Sequence, residues 1–238
     1  MHTRVSGSTV VAAERIAAPG KAALALLALL LVADIGFVWA HLRWAADDWY
    51  WDLGADTAYP EVFQYAQWGI ASLLLLALAW KRRAAIYVAW AALFFFLLLD
   101  DAESFHERAG RWLAKTLDLK AFEAIYQRHF EYFMLYAQDF GELVYGLLLA
   151  TIVVGALLVA WPGRQAKRER TVTKWLVGWL VLFAVFAVGF DMLHVMAWEI
   201  YPPAIELVAM IEDGGEMLCV SLLVGGLAFE FARDPAGL

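Results

Sequence analysis

Two stretches of the chain repeat one pattern, an acid followed three residues later by a histidine: Glu103-x-x-His106 and Asp191-x-x-His194. On a helix that spacing puts carboxylate and imidazole one turn apart on one face. Other apolar stretches supply Glu142 and the pair Glu212 and Glu216, the last two stacked at i, i+4. Imidazole plus carboxylate is the ligand set of zinc, iron and manganese. Four-helix di-iron and di-manganese proteins use this inventory, with acid-x-x-His on two helices and one acid on each of two others. The candidate ligands for one or two divalent ions (Zn, Fe or Mn) are therefore Glu103, His106, Glu142, Asp191, His194, Glu212 and Glu216. Asp34, Asp100, Asp101, Glu107, Asp139 and Asp213 are the acids placed to orient them. The order along the chain differs from that of the di-metal bundles, so the analogy is one of chemistry.

The elements that must carry these residues are membrane helices. Of the 238 residues 63% are hydrophobic and 18% charged, whereas a soluble domain carries nearer ~25% charge. Leu143 to Trp161 holds no charged residue and is about the length that crosses a ~30 Å hydrocarbon core. The pattern of such runs predicts an all-α, polytopic membrane helix bundle forming a single integral membrane domain over residues 1–238. Its six spans fall at 21–42, 62–80, 84–106, 140–161, 175–198 and 204–231. Between the third and fourth, Phe122, Tyr126, Phe130, Phe133 and Tyr136 recur at helical spacing and predict an extra interfacial helix over Ala121–Gln138.

Orientation follows from the basic loops. Lys81, Arg82 and Arg83 join the second and third spans, and Arg164, Lys167, Arg168, Arg170 and Lys174 crowd the loop between the fourth and fifth. With Arg4, Arg15, Lys21 and Arg233 they put both termini in the cytoplasm. Residues 1–40 read as an uncleaved first helix, since the apolar stretch is long for a signal sequence and Asp34 interrupts it. The single Cys219 excludes an internal disulfide and a Cys-rich zinc site. A net charge of −7 argues against a nucleic-acid partner. The expected partners are the lipid bilayer and an apolar small-molecule substrate entering from the outer leaflet; the oligomeric state stays open.

All acids except Glu14, Glu169, Glu230 and Asp234 fall in the half away from the basic loops. Counted from the inner ends of their spans, Asp100, Glu142, Asp191, Glu212 and Glu216 lie roughly 22–29 Å up, at 1.5 Å per residue. A lone charge inside a span costs about 2.5–3.5 kcal/mol on insertion scales. So many acids in one layer need protonation, water or bound cations, and two histidines at that depth favour a metal. The leading expectation is a metal-dependent enzyme acting on an apolar or lipid-like substrate. One alternative is a proton or cation transporter using the carboxylates as a relay; another is a non-catalytic assembly subunit whose acidic cup docks a basic segment. Serine hydrolase chemistry at Ser104 is disfavoured, since neither a base–orienter pair nor a Gly-x-Ser-x-Gly turn accompanies it.

Asp100-Asp101-Ala-Glu-Ser-Phe-His106-Glu107, Phe190-Asp191-Met192 and Glu212-Asp213-Gly-Gly-Glu216-Met217 resemble the motifs of an uncharacterised family of small bacterial multi-span membrane proteins. That family carries Asp-Glu-x4-His-Glu and Glu-Glu-x-x-Glu-Met near helix ends. The resemblance implies a bacterial inner (cytoplasmic) membrane location and supports the choice of residues, and it implies no reaction. Asp stands at 101, 191 and 213 where the family usually has Glu, which shortens those arms by about one bond.

Overall fold

The computed structural model describes residues 7–129, 135–161, 163, 166–194 and 204–233. The regular elements among these residues are helical. In chain order they are α1 (Gly7–Trp44), a 3-10 turn (Trp49–Trp51), α2 (Tyr59–Arg82), α3 (Ala85–Ala102), α4 (Phe105–Thr116), α5 (Leu119–His129), α6 (Ala137–Val159), α7 (Lys167–Ala184) and α8 (Ile205–Ala232). A π-helical stretch, Val185–Phe190, carries α7 onward to His194.

Five of these stretches are long and apolar enough to cross a membrane: Gly20–Trp44, Tyr59–Arg82, Ala85–Ala102, Ala137–Val159 and Lys167–His194. They match the first five predicted spans, and residues 195–198 of the fifth prediction lie outside the described residues. α8 covers the residues of the sixth predicted span but is not among these five. It is the central helix, packed against α1, α2 and the π-helical stretch. Its buried face includes Met217, Val220, Leu223, Val224 and Leu227.

Lipid tails are as apolar as leucine, so helices in a bilayer associate through close packing rather than through the hydrophobic effect. Two contacts in this bundle are that close. Gly226 on α8 lets Trp175 of α7 approach so closely that a Cβ there would lie 2.6 Å from the indole ring. Gly110 on α4 and Gly141 on α6 bring two backbones together; a Cβ on either would collide with the other helix. Around them Trp68, Phe94, Trp179 and Phe183 pack ring against ring, with centroids 5.2–5.7 Å apart.

At the basic end, α2, α7 and α8 are tied by one carboxylate. Glu230 Oε1 accepts from Arg82 at 2.9 Å and from Arg168 at 2.8 Å, and Arg82 also donates to the Tyr87 hydroxyl at 2.5 Å. Arg83 then turns the chain in the left-handed region (φ 50°) directly into α3.

The third helix is shorter than the predicted span 84–106. It ends at Ala102, and Ser104 in the left-handed region (φ 48°) redirects the chain into α4. The predicted stacking of Glu103 with His106 along one continuous helix is therefore not formed. The segment before the fourth span holds two helices, α4 and α5, where a single one was expected over Ala121–Gln138. Residues 130–134 of that prediction lie outside the described residues. Phe122 and Tyr126 of α5 stack edge-on against Phe140 at the start of α6.

Candidate functional site

The acids near the ends of α3, α4 and α6 form one group, and those of the α7 extension and α8 form a second, against which the loop between α1 and α2 packs. Asp100, at the last turn of α3, is buried and stands at the centre of one group. Its Oδ2 lies 3.4 Å from His106 Nδ1 on α4, and its Oδ1 accepts a 2.6 Å bond from the Tyr145 hydroxyl on α6. The bond from Asp100, aided by the charges of Glu142 and Asp101, pushes the His106 imidazole up to about 9 against partial burial. The left-handed turn at Ser104 makes this meeting possible, because it brings α4 back over the end of α3.

A second pair joins α7 to α8: His194 Nδ1 lies 2.9 Å from Glu212 Oε2. One turn further along α8, Glu216 accepts from Gln64 Nε2 of α2 at 3.3 Å. Asp213 sits against the backbone of Gly54, where a Cβ would lie 2.9 Å from its Oδ2. The loop that contains Gly54 is anchored to α1, since the Leu53 N–H donates to His41 Nδ1 at 3.2 Å. That bond leaves Nδ1 without a hydrogen for Asp52 Oδ1, 3.3 Å away.

The groups are linked electrostatically. Asp191 feels the charges of Glu142, Asp139, His194 and His106, and Glu216 those of Asp101, Asp213 and Glu212. Asp101 in turn feels Glu61 and Asp56 from the start of α2 and the loop before it. No Lys or Arg occurs in α3, α6 or α8, and those of α7 lie in its first turns.

Each predicted ligand has a definite place. His106, His194, Glu142, Asp191, Glu212 and Glu216 fall within the linked layer. Glu103 does not: its side chain is 61% exposed and faces Arg108 at 3.7 Å. Glu107 likewise pairs with Arg111 on the outer face of α4. Among the residues expected to orient the ligands, Asp139 caps α6 by accepting from the Tyr136 N–H at 2.7 Å. Asp100 takes the place beside His106 that the sequence gives to Glu103. Asp34 lies deeper, bonded to Ser221. Tyr145 and Gln138, which donates to Glu142 Oε1 at 2.8 Å, were not anticipated. Tyr145 stands three residues after Glu142, so the helical spacing that placed Glu142 also pointed to it.

Among the described residues, no three His, Cys, Asp or Glu side chains gather as the shell of a metal ion. What the layer contains is two imidazole–carboxylate pairs, His106–Asp100 and His194–Glu212, with Glu142 and Asp191 between them in charge.

None of the curated proteins and none of the solved structures matches the chain. One family does match, over residues 61–229, from the start of α2 to near the end of α8, and so over all the acids of the layer. By that match the chain belongs to the family described as a domain of unknown function, DUF8692.

Proposed function

We propose that this protein is a six-span integral membrane protein, with α8 as the sixth span, that binds divalent cations in its extracytoplasmic half. The basic residues at the end of α2, in the turn after it and at the start of α7 (Lys81, Arg82, Arg83, Arg168 and Lys174) support the Glu230 end as the cytoplasmic one. On this reading α4 and α5 lie at the outer interface as a cover over the acidic layer.

One observation carries the reading. Asp100, Asp101, Glu142, Asp191, Glu212, Asp213 and Glu216 are linked electrostatically, and among the described residues His106 and His194 act on them as positive influences. Partly buried like charges repel at an effective dielectric far below that of water, and bound protons or cations relieve that repulsion. A mixed oxygen and imidazole donor set suits zinc, iron or manganese. On this reading His106, His194, Glu142, Asp191, Glu212 and Glu216 are the donors. A metal bound there supplies Lewis-acid or water-activating chemistry, directed at an apolar or lipid-like substrate that reaches the layer from the outer leaflet.

Transport is the weaker reading, because the basic half is filled by Leu75, Leu78, Trp90, Phe94, Leu223 and Leu227, all buried.

The test is element analysis of protein purified without chelator, paired with thermal unfolding. About one or two equivalents of Zn, Fe or Mn, with a lowered Tm in chelator, is the expected outcome. Less than a tenth of an equivalent together with a Tm indifferent to chelator and to added metal overturns the proposal.

A further inference from the structure

Below the acidic layer a second polar group lies in the middle of the bundle. Asp34 of α1 is 5% exposed, Gln67 of α2 1% and Ser221 of α8 0%. Asp34 stands about 21 Å along α1 from Gly20 and about 15 Å from Trp44, at 1.5 Å per residue. That is near the centre of the span Gly20–Trp44.

The three side chains are joined in a row. Gln67 Nε2 donates to Ser221 Oγ at 2.7 Å, and Ser221 Oγ donates to Asp34 Oδ1 at 2.9 Å. Two acceptors are left buried without partners, Asp34 Oδ2 and Gln67 Oε1. A buried polar atom without a partner costs about 1–3 kcal/mol, and more if charged. In this row the shortage is of hydrogens.

We propose that Asp34, Gln67 and Ser221 form a proton-binding site near the membrane centre, in which Asp34 is held as the neutral carboxylic acid. A proton on Oδ2 removes the isolated charge and turns one orphaned acceptor into a donor. The conclusion does not depend on how the Gln67 amide is oriented, which is an assignment and not an observation. With the amide reversed, Ser221 donates to Gln67 Oε1 and has no hydrogen left for Asp34. The short contact between Ser221 and Asp34 then requires Asp34 itself to donate.

Among the described residues, no positive charge bears on the Asp34 carboxyl. The influences on the Asp34 carboxyl are its burial and the Ser221 hydroxyl, with no charged side chain among them. On α8 the nearest titratable groups are the Cys219 thiol and Glu216, which is engaged by Gln64. On α2, Gln67 and Gln64 are neutral amides. A hard metal ion such as Mg2+ or Ca2+ takes about six or more oxygens, and three residues do not supply them. The two glutamines stand one turn apart on α2, so they link this site to Glu216 and the acidic layer.

The inference is independent of metal binding in the layer above, and its experiment uses the full chain in lipid nanodiscs. Infrared spectra of the wild type and Asp34→Asn are compared at pH 7, and thermal unfolding is followed in NaCl and in choline chloride. A protonated-carboxyl carbonyl band present in the wild type and lost in Asp34→Asn is the expected result. Asp34→Asn, neutral and of the same shape, then melts within about 2 °C of the wild type, whereas Asp34→Ala melts lower by more than about 4 °C. The proposal is overturned if no such band belongs to Asp34. It is equally overturned if Na+ raises the wild-type Tm and Asp34→Asn abolishes that rise, which would make the site one for an ionised carboxylate and a metal cation.

Discussion

His194 Nδ1 and Glu212 Oε2 are 2.9 Å apart, and this contact joins the extension of α7 beyond its π-helical stretch to the first half of α8. The side chains are partly buried, 32% and 13% exposed. Their bond therefore acts across a helix interface where water competes poorly.

The contact predicts coupling between the two positions. In a double-mutant cycle of His194→Asn and Glu212→Gln, unfolding free energies are expected to be non-additive by about 0.5–3 kcal/mol, the range for residues in direct contact. Additivity within about 0.3 kcal/mol shows that the pair contributes nothing. If the pair also serves as metal ligands, each single substitution additionally lowers metal affinity by tenfold or more.

The turn at Ser104 leads to a prediction about pH. His106 is held at about 9 by Asp100, above the ordinary imidazole value near 6.5. A group raised in the folded state adds stability that is fully present below its unfolded value and is lost as pH rises through the folded one. In metal-free protein the stability contributed by His106 should thus decline between about pH 6.5 and 9. Asp100→Asn should flatten that decline, which thermal unfolding across the pH range will register. A slope identical in wild type and Asp100→Asn contradicts the role given to this bond.

The same turn marks where sequence and structure part. The apolar runs located the spans well, because Leu143 to Trp161 or Trp175 to Phe190 can only be satisfied by helices in lipid. What could not be read was the break after Ala102, since neither glycine nor proline stands there and a left-handed serine carries no sequence signal. A helix assumed to continue gave His106 the wrong acid: Glu103 was expected beside it and Asp100 is there. Pairings between distant helices, such as Tyr145 with Asp100 or Ser221 with Asp34, depend on rotation of whole helices and not on local spacing.

Gly110 and Gly141 allow α4 to lie directly on α6, and α4 carries His106. Alanine at Gly141 drives a methyl group into the Gly110 backbone, where no flexible side chain can yield. The cost expected for such overpacking is about 1–3 kcal/mol, with a parallel loss of the His106–Asp100 bond. Thermal unfolding reads the first effect, and a flattened pH profile like that of Asp100→Asn reads the second. A Gly141→Ala protein with unchanged Tm and unchanged profile refutes the close approach.

At the opposite end, Glu230 is shared by Arg82 and Arg168, and the Arg82 and Glu230 side chains are only 7% and 15% exposed. Glu230→Gln keeps the shape and removes the charge, leaving the largely desolvated Arg82 guanidinium without its carboxylate partner, though still bonded to Tyr87 and the Glu230 carbonyl. Breaking a buried ion pair from one side costs about 3–5 kcal/mol, and solvent reaching Arg168 lowers the figure, so about 2–4 kcal/mol is expected. The loss should be independent of chelator, since this tie lies at the far end of the bundle from the acidic layer. Thermal unfolding of Glu230→Gln with and without chelator checks both statements. A chelator response that changes with this substitution would mean that the two ends are coupled through α8, which alone among the described helices carries both Glu230 and the pair Glu212 and Glu216.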